Sequence, residues 1–279
     1  MNIHFRLLSL VAALVTAGSL AVTSVDANAT AIHDASLFTT NTLAANDDGS
    51  TGLVNMGFGI NFFGVNYSTL YVNNNGNVTF NGPLGTYTPF SLLSTSTPML
   101  APFFADVDTR GGASSLVQYG QSTLGGHSAF GVNWINVGYY NSQSNLLNSF
   151  QLIVSDRSDT GAGNFDFQFN YDQILWETGS ASGGVGGFGG SSARAGWSNG
   201  ISASQELAGS AVNGGLLDSN LATGLIHNSL NSNTLGQYNF QVRNGQVITP
   251  GVVPEPASLA LLGIGLAGLG VARRRKAKN

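Results

Sequence analysis

The carboxylates with the most pointed spacing in this chain are those of Asp106-Val107-Asp108. On a strand, positions i and i+2 face one side, and two hard oxygen donors together suit Ca²⁺. Asp156 and Asp159, with Asp166 beyond them, surround a polar loop and are the candidates to complete such a site. A structural alternative stands beside it: Asp106 caps a turn, while Asp108 pairs with Arg110 or accepts backbone N–H groups.

Other motifs suggest enzymes and fail on context. Gly196-Trp197-Ser198-Asn199-Gly200 fits G-x-S-x-G, and Asp218 and His227 follow in the order of an α/β-hydrolase. That elbow needs a parallel strand feeding a helix, whereas its surroundings here have an antiparallel, Gly-rich pattern. "GVGGFG" (184–189) fits a dinucleotide fingerprint, but no helical pattern opens on its last glycine, so it reads as a loop. Glu177 beside Trp176 resembles a glycosidase acid, a role that needs a second carboxylate about 5–10 Å away, so a structural role is expected. His33, His127 and His227 have no mutual spacing that suggests a metal site, and the absence of Cys removes thiol chemistry. The expectation is a protein that is not an enzyme. Were it instead a lectin-like module for exopolysaccharide, Tyr139, Tyr140 or Trp197 would stack on the sugars.

The elements that must position these residues are strands. Charged residues are only 9% of the chain, against a usual ~25%, yet 16 Phe, 8 Tyr and 3 Trp supply the bulk for a core. In "NFDFQFNY" (164–171), Phe165, Phe167, Phe169 and Tyr171 fall on one face and Asp166, Gln168 and Asn170 on the other. This is the pattern of a half-buried antiparallel strand, and "FQLIVSD" (150–156) precedes it across the loop 157–163. In "LYVNNNGNVTF" (70–80), Asn75-Gly76 separates two alternating runs and predicts a hairpin. "QYNFQVRNG" (237–245) supplies a closing strand. No stretch of the body sustains a capped 3.6-residue period. The expected fold is all-β, an antiparallel β-sandwich-like single domain with Gly/Asn-rich loops over 53–248, preceded by a polar leader (30–52).

The cations lie at the ends. Residues 30–256 hold four Arg and no Lys against 13 acidic residues, a formal charge of −9. Nucleic acid, which requires clustered cations, is excluded as a partner. Residues 1–29 have the layout of a signal peptide: Arg6, an apolar stretch, and small-residue cleavage options after Ala27 or Ala29. At the other end, residues 249–279 join Pro254-Glu255-Pro256 to an apolar run, Ala257–Ala272, and then to Arg273, Arg274, Arg275, Lys276 and Lys278. A helix over that run would reach about 24 Å, short of a ~30 Å hydrocarbon core. The basic end would stay cytoplasmic by the positive-inside rule.

The C-terminal layout resembles the PEP-CTERM sorting signal of Gram-negative bacteria. The resemblance implies Sec export, a transient inner-membrane precursor, recognition by an exosortase and removal of the tail. The mature form would be at the cell surface or in an exopolysaccharide matrix. The body resembles the nidogen-like (NIDO) family in "GFGINFFGVNYSTLYVNNNGNVTF" (57–80), "MLAPFFADVDTRG" (99–111), "VNWINVGYYN" (132–141), "NSFQLIVSDRSDTGAGNFDFQFNYDQILWETG" (148–179) and "ARAGWSNG" (193–200). That resemblance implies an extracellular β domain associated with matrix and adhesion and implies no catalytic activity; exopolysaccharide or matrix proteins are the partners expected for such a display scaffold.

Overall fold

The computed structural model describes residues 30–248; the segments read from sequence as a signal peptide (1–29) and a sorting signal (249–279) lie outside them. Fourteen strands follow in order, beginning with β1 (Asn41–Thr42), β2 (Val54–Phe62), β3 (Val65–Asn73), β4 (Asn77–Thr79) and β5 (Pro98–Phe104). Next come β6 (Val107–Asp108), β7 (Gln118–Leu124), β8 (His127–Tyr139), β9 (Gln143–Asp156) and β10 (Phe165–Gln173). The last four are β11 (Arg194–Asn199), β12 (Ser204–Glu206), β13 (Gln237–Arg243) and β14 (Gln246–Ile248). Helical structure among the described residues is confined to three short 3₁₀ turns, and no helix there is long and apolar enough to cross a membrane.

The strands form two antiparallel sheets. The first runs β1-β7-β8-β9-β10-β13-β14, with β6 also paired to β8; the second runs β12-β11-β5-β4-β3-β2. Their inner faces meet over a shared core, as in a β-sandwich. Phe62 of the second sheet meets Phe165 of the first at 6.0 Å, and Phe103 meets Phe150 at 5.3 Å. Local alternation sets which side chains point inward. Phe165, Phe167, Phe169 and Tyr171 of β10 are buried, while Asp166 and Gln168 remain half-exposed.

Asn170 departs from that alternation and is buried on the outer face of the first sheet. The segment 31–38 lies across this face. Gln151 bridges Asn170, Asn133 and the His33 carbonyl, and Phe38 packs on Ala129 and Ile153. The stretch read from sequence as a polar leader therefore covers part of the sheet's wet side. Its next portion, 46–50, bonds to β3 and to the turn after it.

The Asn-Gly hairpin forms between β3 and β4, with Asn73 opposite Asn77 and a three-residue loop between them. Gly76 takes φ 70°, a conformation that L side chains adopt at a cost. A Cβ at this position would also run into the Phe103 carbonyl.

Candidate functional site

Three chain segments converge at one corner of the sandwich: the loop 46–49, the turn Asn74-Asn75-Gly76, and the β5–β6 junction. The two asparagines hold them together. Asn74 Nδ2 donates to the carbonyls of Asp47 (2.6 Å) and Val107 (2.6 Å). Asn75 Nδ2 donates to Asp48 Oδ1 (2.8 Å), while its Oδ1 accepts the Val107 N–H (3.0 Å). Trp134 Nε1 donates to the Asn74 carbonyl at 3.0 Å from beneath.

This stitching places the carboxylates of Asp47, Asp48 and Asp106 so that one oxygen from each lies within 4.8 Å of the others. Asp106 is only 1% exposed, and neither of its oxygens has a hydrogen-bond partner. Oδ1 of Asp47 is likewise buried without a partner. Gly179 lies against Asp106 so closely that an added Cβ would collide with the carboxylate. Burial, followed by the charges of Asp47, Asp48 and Asp108, pushes the Asp106 carboxyl up to about 7, with Arg110 opposing. Asp47 is pushed up to about 6, again chiefly by burial.

Asp108 differs, although it is as deeply buried. Its oxygens accept from Arg110 N (2.9 Å), Nε (2.9 Å) and Nη2 (2.6 Å), and from Ser142 N (2.7 Å). Burial would raise its pKa, but these donors outweigh it and hold the carboxyl below the usual aspartate value. Arg110 also reaches Asp47 at 3.0 Å. The arrangement offers hard carboxylate oxygens of the kind divalent cations take.

Of the five carboxylates read from sequence as a Ca²⁺ set, the structure places only Asp106 in this cluster, and Asp166 pairs with Arg157 and Arg243. Asp108 is committed to Arg110. At the β9–β10 connection, Asp156 accepts from Ser158 N and Oγ, and Asp159 pairs with Arg157 at 3.0 Å. Asp47 and Asp48 were missed; the only signal was a pair of adjacent acids before a glycine in a chain poor in charge.

The aromatic candidates lie mostly in the interior. Trp197 stacks on Phe63 with ring centroids 5.5 Å apart. Tyr139 packs on Trp176 and donates to Asn145 Oδ1. Both are buried, so neither ring face is open to a sugar; Tyr140 is half-exposed.

The hydrolase constellation is not assembled. Ser198 is buried on β11, between antiparallel β5 and β12, and its Oγ accepts from Gly200 N. His227 Nε2 meets the backbone carbonyl of Asp218 (2.7 Å), while the Asp218 carboxylate accepts from Ile174 N. Glu177 is buried and anchors a loop through Gly214 N (2.6 Å). No helix follows 184–189. All four arginines of the described residues are in ion pairs.

Comparison with known proteins agrees with this architecture. The nidogen-like domain family matches residues 68–244, more than half of the chain, so the chain belongs to that family. The PEP-CTERM protein-sorting motif matches residues 252–276. Alpha-tectorin of Mus musculus is 36% identical over 179 residues, covering 55% of this chain and 8% of the relative. Alpha-tectorin of Homo sapiens is 35% identical over 181 residues, with the same shares. Nidogen of Drosophila melanogaster is 34% identical over 125 residues, covering 36% of this chain and 9% of the relative. The matched region thus spans less than a tenth of these curated relatives. No solved structure gives a significant match. Together, the domain and the sorting motif mark an exported protein of the cell surface or extracellular space, with processing by an exosortase implied by the motif.

Proposed function

We propose that the chain is the precursor of a non-enzymatic matrix or cell-surface protein of a Gram-negative bacterium. It is exported by the Sec machinery and held transiently in the inner membrane while an exosortase acts at Pro254-Glu255-Pro256. The observation that carries this reading is the union of a nidogen-like domain and a PEP-CTERM motif in one chain. The mature domain acts in adhesion within a biofilm, where a rigid sandwich presents its loops to exopolysaccharide or to neighbouring matrix proteins. The pairing of every arginine in the described residues leaves no free guanidinium cluster to draw in polyanions, so contact rests on neutral polar loops. Burial of Trp197 and Tyr139 favours protein partners over sugar stacking.

Mass spectrometry of the protein from membranes and from culture supernatant tests the sorting step. A mature C-terminus close to Pro254-Glu255-Pro256 is expected, and an intact tail in both fractions would overturn it. Pull-down on exopolysaccharide and on matrix proteins from the same culture tests adhesion, and retention on neither would count against it.

A further inference from the structure

We propose that Asp47, Asp48 and Asp106 form a Ca²⁺ site that fastens the N-terminal segment to the β-sandwich. Acidic residues often cluster without an ion, so the weight falls on Asp106. It is 1% exposed and both of its oxygens lack a partner, although buried polar groups are almost always hydrogen-bonded. Two residues further on, the equally buried Asp108 has four N–H contacts. The same corner thus satisfies one carboxylate fully and leaves the other aimed at two more acids. Arg110 serves Asp108 and Asp47, and among the described residues no cation is within pairing distance of Asp106.

The geometry favours calcium among hard cations. Both Asp106 oxygens are free for bidentate coordination, and Asp47 keeps Oδ1 free while Oδ2 faces Arg110. Asp48 is oriented by Asn75 through Oδ1, which leaves its other oxygen for the ion. Ca²⁺ accepts six to eight oxygens in adaptable geometry, whereas Mg²⁺ demands a near-ideal octahedron. Two ligands come from a loop that precedes the first long strand and one from the β5–β6 junction, so the ion joins segments 58 and 59 positions apart. Its bound form is the one in which residues 46–49 are pinned beside the Asn74-Asn75 turn. This inference is independent of the sorting and adhesion reading.

The test uses the full chain, stripped with chelator and titrated calorimetrically with CaCl₂ and, separately, MgCl₂, with melting followed in parallel. One Ca²⁺ per chain and a melting temperature raised by several degrees are expected, with a clearly weaker response to Mg²⁺. Asp106→Asn should weaken Ca²⁺ binding at least tenfold, whereas Asp159→Asn, at the β9–β10 connection, should bind as the wild type does. Should Asp106→Asn fail to fold, Asp48→Asn decides, since that half-exposed side chain tolerates the change and the same loss is expected. Absence of saturable binding at millimolar Ca²⁺ would overturn the site, as would wild-type affinity in the deciding variant. An equal response to Mg²⁺ would overturn the assignment to calcium.

Discussion

Asn75 Nδ2 donates to Asp48 Oδ1 at 2.8 Å across 27 positions of sequence. The same side chain accepts the Val107 N–H at 3.0 Å. One turn residue thereby holds the N-terminal loop and the β5–β6 junction at a fixed separation, and the acidic corner depends on it.

Replacing Asn75 by Ala removes one of the two acceptors of the buried Val107 N–H, which keeps the Ala105 carbonyl at 3.0 Å, and frees Asp48. A loss of about 2 kcal/mol in unfolding free energy is expected, the scale of two lost hydrogen bonds of which one reaches a carboxylate. Urea denaturation measures it, and a change within about 0.5 kcal/mol, as at an ordinary surface position, would show that the turn is not the clamp.

Phe38 tests whether the N-terminal segment belongs to the folded unit. Its buried ring fills a pocket over Ala129 and Ile153, so Phe38→Ala should cost about 3 kcal/mol through lost burial and the cavity left behind. If residues 31–38 were an unattached leader, the urea midpoint would not move.

Glu177 supplies a pH test. Burial raises its carboxyl above the ordinary 4.5, against the N–H groups of Gly214 and Gly189 and the Ser192 hydroxyl, which lower it. A raised carboxylate costs the fold stability once ionised, so the cost is absent below pH 4.5 and grows as pH rises through the folded value. Glu177→Gln cannot ionise, and it should gain stability relative to the wild type between pH 4 and pH 8. Paired urea midpoints at the two ends read that difference; a gap that stays constant would refute the buried-carboxylate account.

Ser198 is buried, and among the described residues no base bonds to its hydroxyl. Hydrolysis of p-nitrophenyl esters by the wild type and by Ser198→Ala should therefore be equal and at the buffer rate. Turnover lost on the substitution would restore the hydrolase reading.

The strand pattern was legible because it is local. Alternation in Phe165–Tyr171 needs only the two-residue pleat, and Gly76 at the β3–β4 turn needs only a positive φ. The Asp108–Arg110 pair was legible for the same reason, since the partners are two residues apart. Asn170 broke the alternation because its neighbours come from a distant segment: Gln151, itself bonded to the His33 carbonyl, fills what β10 alone marks as a wet face. Trp197 has the residue type of a surface platform, but it is a buried member of the second sheet, and Phe63 from the β2–β3 turn stacks against its ring.

By itself, the sequence determined the all-β class, the membership in the nidogen-like family and the sorting motif, because each is written in contiguous residues. Which acids share a corner was decided only by the tertiary structure. The sequence pattern joins Asp106 and Asp108 to Asp156 and Asp159 around one polar loop, yet the latter two are bonded to Ser158 and Arg157, close to them in the chain. The actual companions of Asp106, Asp47 and Asp48, are brought in by side-chain hydrogen bonds from Asn74 and Asn75. Contacts between side chains far apart in sequence leave no periodic trace in it, and burial, which gives Asp106 its unmet demand for a partner, exists only once the sheets have packed.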